Sequence, residues 1–268
     1  MKKNMVFVLS LFVLLALACN LSSSPTSQAP GNTPQGGGNQ SGNPSNPQPG
    51  GTPPASPVSI NEGLSSLNSY QMTINYKSTG PDPSESSTTQ MEIQRSQDQD
   101  ARYMHLTQSS VKKGGGNPSN SESNIYQIGN DECDGSGTDW TWATELPNQT
   151  EMNSLVQNMI SLTPLIDNPT FVAQETVNGI PSNHFTFKVS GIGAKSGAAV
   201  NVDQGDYWLA VDGRYIVKYN LVLETSMGPS VDVIHQEVSI DLTQVNQPVT
   251  IAFPQTCLDA AAKATPTP

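Results

Sequence analysis

The residue types that carry most protein chemistry are scattered in this sequence. The three histidines, His105, His184 and His235, are far apart, and none has a second histidine or a cysteine at the spacing of a metal site. No serine lies in a nucleophile elbow, and no glycine-rich loop has the pattern that cradles phosphate. We therefore predict that the protein is not an enzyme and has no catalytic residue, no metal site and no cofactor.

The densest acidic cluster is residues 131–135 (DECDG), with Asp139 close by. Carboxylates bind calcium, but this cluster lacks the alternating ligand spacing of an EF-hand loop. The pattern favours an acidic hairpin turn over a calcium site.

Three tryptophans are the other candidates for ligand contact. Trp140 and Trp142 share one face of a predicted strand, and Trp208 lies on another strand. Stacking on a carbohydrate requires exposed rings on one platform, whereas burial in the core is the more common role of tryptophan. We favour burial and keep the carbohydrate alternative open.

The amino terminus has the pattern of a secretion signal. Lys2 and Lys3 precede an apolar run over residues 5–18 that is too short to span a bilayer comfortably. The run ends in LALAC, residues 15–19, which resembles a lipobox, the motif whose cysteine accepts a diacylglycerol. We predict a signal peptide over residues 1–18 and Cys19 as the lipidated mature amino terminus. The alternative is an ordinary signal peptide with an incidental cysteine.

The predicted anchor indicates where the protein lies. Two or three acyl chains on one cysteine anchor a protein stably, whereas a single chain holds it only marginally. We therefore expect a protein of the bacterial cell envelope, anchored at the extracytoplasmic face of a membrane. Its formal net charge of −11 argues against nucleic acid as a partner, because phosphate binding requires a basic surface.

Export has a consequence for the two remaining cysteines, Cys133 and Cys257. In an oxidising compartment an even pair generally forms a disulfide. Such a bridge would close a loop of more than a hundred residues and stabilise the fold by roughly 4–5 kcal/mol on the chain-entropy model. Two free thiols are the alternative.

Composition divides the mature chain into three parts. Residues 20–57 are almost wholly Pro, Gly, Asn, Ser, Gln and Thr, and they cannot bury enough apolar area to fold. With Cys19 they form a predicted disordered tether, residues 19–57, whose ends lie about 35 Å apart as a flexible coil. Residues 58–259 form one folded domain, and residues 260–268 form an unstructured tail.

Hydrophobic periodicity predicts the elements of this domain. Tyr70, Met72, Ile74 and Tyr76 alternate with polar residues, as in a strand with one dry face. Further strands are predicted at residues 88–95, 102–109, 125–128, 139–143, 170–177, 184–189, 206–211, 215–224, 231–240 and 249–253. The pairs at residues 178–179 (Asn-Gly) and 212–213 (Asp-Gly) predict hairpin turns.

One segment changes to a helical period. Met152, Leu155, Val156, Met159 and Ile160 recur at spacings of three and four, which indicates an amphipathic helix. The predicted fold class is therefore α+β, mainly β. We expect a strongly curved antiparallel sheet, an incomplete β-barrel, with one or two helices covering its concave face.

Several segments resemble a known family. They are LNSY at residues 67–70, VNGIPSNHFTF at 177–187, DYWLAVDGRYIVKYNL at 206–221 and VSIDLTQVNQPVTIAFP at 238–254. Together they resemble the LolA/LolB lipoprotein carriers and, more closely, the LppX/LprG-type lipid-binding lipoproteins. The resemblance implies an incomplete barrel with helices closing its mouth, whose apolar cavity holds acyl chains in transit between membranes.

The apolar faces predict which residues would line such a cavity. Methionine suits the wall because its side chain repacks around variable shapes. The candidates are Met72, Ile74, Met91, Ile93, Met104, Leu106, Met152, Leu155, Val156, Met159, Phe185, Phe187 and Trp208. The alternative is that these are ordinary core residues of a filled sandwich.

These observations support two functional hypotheses. The first is a monomeric, membrane-anchored lipoprotein that binds or carries acyl chains, with lipid or a lipidated protein as cargo. The second is a surface binding or scaffold module for a protein or glycan partner.

Overall fold

The computed structural model describes residues 63–82, 84–112, 114, 116–144, 166–189, 198–227 and 233–264. The predicted signal peptide, Cys19 and the tether lie outside these residues. The predicted amphipathic helix also lies outside them, and with it four of the candidate cavity residues: Met152, Leu155, Val156 and Met159.

The described part of the chain is mainly β, and its strands form one antiparallel sheet. The strands are β1 (Ser69–Thr79), β2 (Ser86–Ser96), β3 (Ala101–Val111), β4 (Ser119–Ile128), β5 (Asp131–Ser136), β6 (Asp139–Thr144), β7 (Ile166–Val177), β8 (Ile180–Val189), β9 (Ala198–Ala210), β10 (Ile216–Met227) and β11 (Val233–Thr243). A 3₁₀ turn, Leu64–Ser66, precedes β1, and helix α1, Gln255–Lys263, follows β11.

The strand order across the sheet is β6-β5-β4-β3-β2-β1-β11-β10-β9-β8-β7. All neighbouring strands are antiparallel. Each half of the chain is therefore a meander, and the pairing of β1 with β11 joins the two halves. Strands β6 and β7 form the two edges, so the sheet is open, which confirms the predicted fold class at this level.

The alternation of apolar and polar residues explains how the strands bury one face. In β1, Met72 and Ile74 are almost fully buried, whereas the alternating residues Thr73 and Asn75 are more exposed. Because successive side chains of a strand point to opposite faces, this pattern assigns one dry face and one wetter face to the same strand.

Both predicted hairpin turns are confirmed. Asn178 and Gly179 join β7 to β8 with φ of 53° and 80°. The turn from β9 to β10 has its positive φ values at Gly213 (86°) and Arg214 (51°), one position later than the Asp-Gly pair suggested. Tight hairpins need these left-handed conformations because their twist matches that of the strands.

One predicted turn is instead a strand. The acidic residues 131–135 belong to β5, where Cys133 is fully buried and Asp134 is exposed. Buried and exposed side chains therefore alternate along β5. Its carboxylates concealed that alternation in the sequence because acidic residues are uncommon in strands.

The carboxyl-terminal segment also differs from its prediction. Residues 249–253 do not form the expected strand, and the backbone N–H of Ile251 donates to Oε1 of Gln99 at 3.0 Å. Flanking prolines 248 and 254 have no N–H for a strand ladder. Helix α1 then extends to Lys263, so residues 260–263 are helical and do not belong to an unstructured tail. Three consecutive alanines, residues 260–262, favour this helix.

Helix α1 is fixed to one edge of the sheet. Cys257 forms a disulfide with Cys133 of β5, which confirms the predicted pair, and the ring of Phe253 packs on Trp142 at 4.6 Å between centroids. Cys133 pairs across the sheet with Tyr126, on the face opposite to Ile74. The helix therefore covers the face opposite to the buried apolar one. No helix within the described residues is long and apolar enough to cross a membrane.

Candidate functional site

The buried apolar face is organised in rows that run across the strands. Residues paired directly in an antiparallel sheet share a face, so a row can be followed from strand to strand. The rim row is Leu223, Gln236, Ser78, Ser87, Ser110 and Ser119. The hollow row is Phe187, Gly205, Leu221, Val238, Tyr76, Thr89, Gln108 and Ser121.

Two further rows continue along the strands beyond the hollow row. The first apolar row is Phe185, Tyr207, Tyr219, Ile240, Ile74, Met91, Leu106 and Ser123. The second apolar row is Leu242, Met72, Ile93, Met104 and Ile125. Adjacent rows lie about 7 Å apart, two residues along a strand. Polarity thus falls along the strands, from the serines and glutamine of the rim row to the aliphatic side chains of the second apolar row.

A cavity of about 1050 Å³ lies over the hollow row. Its lining includes six members of that row: Leu221, Val238, Tyr76, Thr89, Gln108 and Ser121. It contacts seven consecutive strands, from β5 to β10 in sheet order. On a flat sheet the outer two of these strands would lie about 29 Å apart, too far for one cavity of this size to touch both. The sheet is therefore curved, and the hollow lies on its concave face.

Neutral side chains form the polar part of the hollow row. Nε2 of Gln236 donates to the hydroxyl of Tyr76 at 2.8 Å. Nε2 of Gln108 donates to Oγ1 of Thr89 at 3.4 Å, and Oγ of Ser121 donates to Oε1 of Gln108 at 3.4 Å. Tyr76 is the one titratable member of the hollow row, and burial raises the pKa of its phenol. The row is therefore uncharged near neutral pH.

The candidate cavity residues lie mostly beside the cavity. Their common feature is deep burial on the concave face: the buried candidates are Met72, Ile74, Met91, Ile93, Met104, Phe185 and Phe187, and Leu106 is half-buried in the same rows. The cavity itself contacts Tyr76, Thr89 and Gln108, each two residues further along its strand. The alternation of apolar and polar residues therefore predicts which face of the sheet is apolar, but not which row of side chains the cavity contacts. The alternation in β1 includes Tyr76 on the apolar face, whereas nothing in the sequence indicates that the polar residues of β2 and β3 contact the cavity.

A close approach fixes the aromatic end of the hollow row. The ring of Phe187 lies directly over Gly205, where an added Cβ would come within 2.1 Å of Cζ. The same ring stacks on Tyr219 at 5.4 Å and contacts Tyr207 at 5.8 Å. Burial raises the pKa of Tyr207 to about 12 and raises that of Tyr219 as well. These phenols are therefore neutral members of the apolar wall.

Trp208 lies on the other face of the sheet and does not line the hollow. Its ring stacks on His184 at 4.3 Å, and its Nε1 donates to Oε1 of Glu175. The Nζ of Lys218 lies 5.6 Å from the ring centroid, which is a cation–π distance. Its neighbour Tyr207 faces the concave side, so the one-residue shift reverses the direction of the side chain.

The three histidines pair with carboxylates on the opposite face. His184 lies 2.9 Å from Asp206, His235 lies 3.0 Å from Glu237 and His105 lies 3.1 Å from Glu122. The hydrogen bond from His235 is the main cause of the lowered pKa of Glu237. Within the described ranges, no three His, Cys, Asp or Glu side chains converge closely enough to hold a metal ion. These contacts are histidine–carboxylate hydrogen bonds on the face opposite to the hollow.

Comparison with known proteins finds similarity to solved structures only. No family model matches the chain, and no curated protein matches it. The chain is similar to the crystal structure of LprF from Mycobacterium bovis, with 11% identity and a TM-score of 0.35 over 73% of this chain and 94% of that one. It is also similar to lipovitellin, in a structure of lipid–protein interactions, with 10% identity and a TM-score of 0.28 over 69% of this chain and 26% of that one.

Proposed function

We propose that this domain is a non-catalytic module that binds an acyl chain of a lipid, or of a lipidated protein, in the hollow. The observation that carries the proposal is the cavity of about 1050 Å³ on the concave face. Ligand pockets generally enclose roughly 300–1,000 Å³, so this hollow is large enough for an extended ligand. A sandwich packed to ordinary density would leave no such space.

The gradient of polarity suits an amphipathic ligand. Leu221 and Val238 offer an apolar wall in the hollow, and the buried side chains of Ile240 and Ile74 adjoin it. The rim row offers hydroxyl and amide groups at the other side. We infer that hydrocarbon lies along the apolar side and that the polar end of the ligand faces the rim row.

The affinity follows from the transfer of methylene groups out of water. Burial of about ten methylenes contributes roughly 8 kcal/mol before the loss of freedom of the ligand is subtracted. A net binding free energy near −8 kcal/mol corresponds to a Kd of about 1 μM. Because ordering costs reduce the gross value, we expect single-chain ligands to bind with micromolar or weaker affinity.

The sequence supports a location of this module at a membrane. We propose that Cys19 carries the lipid anchor and that residues 20–57 form the tether, whose ends would lie about 35 Å apart as a flexible coil. This arrangement corresponds to a lipoprotein of the cell envelope. Its support is the lipobox-like LALAC at residues 15–19 and the composition of the tether.

The test is titration of the full chain, purified without detergent, with the fluorescent fatty acid cis-parinaric acid. The unaltered chain should bind it saturably, and Ser121→Trp, which places an indole in the hollow from an exposed position, should weaken binding more than about tenfold. Exclusion of only two methylenes already costs about 1.6 kcal/mol. Thr73→Trp, on the opposite face, is the matched control and should bind like the unaltered chain. Equal affinity of all three proteins would contradict a site in the hollow.

A further inference from the structure

A second concavity lies on the opposite face, between the edge strand β6 and helix α1. It encloses about 330 Å³ and is lined by Trp140, Trp142, Thr138 and Thr141 on the strand side. The helix contributes Thr256, Asp259, Ala260 and Lys263. We call it the tryptophan groove. It shares no lining residue with the hollow, so its role is independent of the proposed function.

The indole of Trp140 is a flat platform on the sheet. Trp140 pairs with Gly135 of β5, and a Cβ at Gly135 would lie 2.6 Å from Cδ2 of the indole. The ring therefore occupies the space that a side chain at position 135 would fill. The ring thus lies over the backbone of β5 at Gly135. Glycine at this position is what lets the ring lie flat.

Trp142 extends the aromatic wall on the same side of β6. It is two residues from Trp140, both side chains are partly buried, and the Phe253 ring packs on that of Trp142 at 4.6 Å between centroids. Nε1 of Trp140 donates to the carbonyl of Gly137 at 2.9 Å, and Nε1 of Trp142 donates to Oγ1 of Thr144 at 3.1 Å. With both indole N–H groups used within the protein, a ligand would contact the ring of Trp140 and not its N–H group. Because Trp140 is only partly buried, part of its ring can stack on a carbohydrate, in contrast to the burial favoured by the sequence.

The helical wall supplies hydrogen-bonding groups. Thr256, Asp259 and Lys263 recur at spacings of three and four, so they lie on one face of α1, the face that lines the groove. The disulfide to Cys133 holds this wall in place. One carboxylate and one ammonium offset each other, and the strand side adds only hydroxyls. The groove therefore favours a neutral, hydroxyl-rich ligand over a strongly charged one.

We propose that the tryptophan groove binds a pyranose ring of a neutral polysaccharide. A pyranose with equatorial hydroxyls presents a flat face of C–H groups to an indole, while its edge carries hydroxyls that reach carboxylate, ammonium and threonine side chains. An acyl chain would leave those polar groups without partners. A protein with both sites would hold a lipid on one face and a glycan on the other.

The test is titration of the full chain with two soluble probes, cellotriose and triacetylchitotriose. Calorimetry gives the affinity, and the indole N–H signals in NMR spectra show which tryptophan responds. We expect saturable binding of at least one probe and a shift at Trp140 or Trp142 but not at Trp208. Trp140→Ala should weaken binding about tenfold or more, by loss of the stacking platform.

Three further variants keep the test independent of folding. Ala260→Leu fills the groove from the exposed helix and should also abolish binding, whereas Trp208→Ala removes a tryptophan from outside the groove and should leave the affinity unchanged. Ser121→Trp, which blocks the hollow, should bind both probes normally. No binding of either probe, or a loss that is equal for Trp140→Ala and Trp208→Ala, would overturn the proposal.

Discussion

The contact between Phe187 and Gly205 gives a sharp prediction about the packing of the concave face. A Cβ at position 205 would lie 2.1, 2.4 and 2.5 Å from three atoms of the Phe187 ring. Carbon atoms in contact are ordinarily about 3.5–4.0 Å apart, so the ring would have to move by about 1.5 Å. Phe187 is only 4% exposed and lies against Tyr219 and Tyr207, so it has no free direction in which to move.

The expected cost of Gly205→Ala follows from these contacts. Overpacking of a core generally costs about 1–3 kcal/mol, and a disturbed aromatic pair adds about 0.5–1.5 kcal/mol. The change also removes the flexibility of glycine from a strand, which stabilises by about 0.5–1 kcal/mol. We therefore expect Gly205→Ala to lower the free energy of unfolding by about 2 kcal/mol. In a Phe187→Leu background the same change should cost less than about 0.5 kcal/mol, since the smaller side chain leaves room.

The assay is urea unfolding of the four proteins of this double-mutant cycle, followed by circular dichroism. Gly179→Ala is the control, because Gly179 has a positive φ of 80° but no atom within 4 Å of the added Cβ. Its cost should be the same with and without Phe187→Leu. If the costs of Gly205→Ala and Phe187→Leu simply add, the ring does not rest on Gly205, and the described packing is wrong.

Three further predictions concern stability. Replacing both Cys133 and Cys257 with serine should lower the free energy of unfolding in urea by about 4–5 kcal/mol, because the bridge joins residues 124 positions apart. Tyr76→Phe should cost about 1 kcal/mol, whereas Tyr219→Phe should stabilise by about 1 kcal/mol, since within the described residues the buried Tyr219 hydroxyl has no hydrogen-bond partner. Burial raises the pKa of Tyr207 from 10.0 to about 12, so its contribution to stability is complete below pH 10 and is lost as pH rises from 10 to 12, measurable as a falling urea midpoint.

Much of the fold could be predicted from the sequence because its signals are local. The alternation in β1 and the Asn-Gly turn at residues 178–179 depend on a few neighbouring residues, and both are confirmed. The failures depend on tertiary context. Strand β5 carries acidic residues that look like a turn, and its pairing with β4 and β6 overrides their low strand propensity.

The candidate site was predictable only as far as one face of the sheet. Met91 and Met104 were placed on the apolar face, and they are buried there. The cavity, however, lies over polar residues such as Thr89 and Gln108, which come together only through the register of distant strands. Trp208 is predicted to line the cavity but lies on the opposite face of the sheet, because a shift of one residue along a strand reverses the direction of the side chain. The polar residues around Trp208 belong to other strands, so local alternation does not indicate them.

NMR with a spin-labelled fatty acid tests directly whether hydrocarbon lies in the hollow. A stearic acid that carries a nitroxide near its methyl end would be titrated into the full chain, with methyl signals assigned. We predict that the signals of Leu221 and Val238 broaden first. Those of Val211 and Leu258, which are exposed elsewhere at 41% and 46%, should stay sharp. Broadening confined to these exposed methyls, or none at all, would contradict the proposed site.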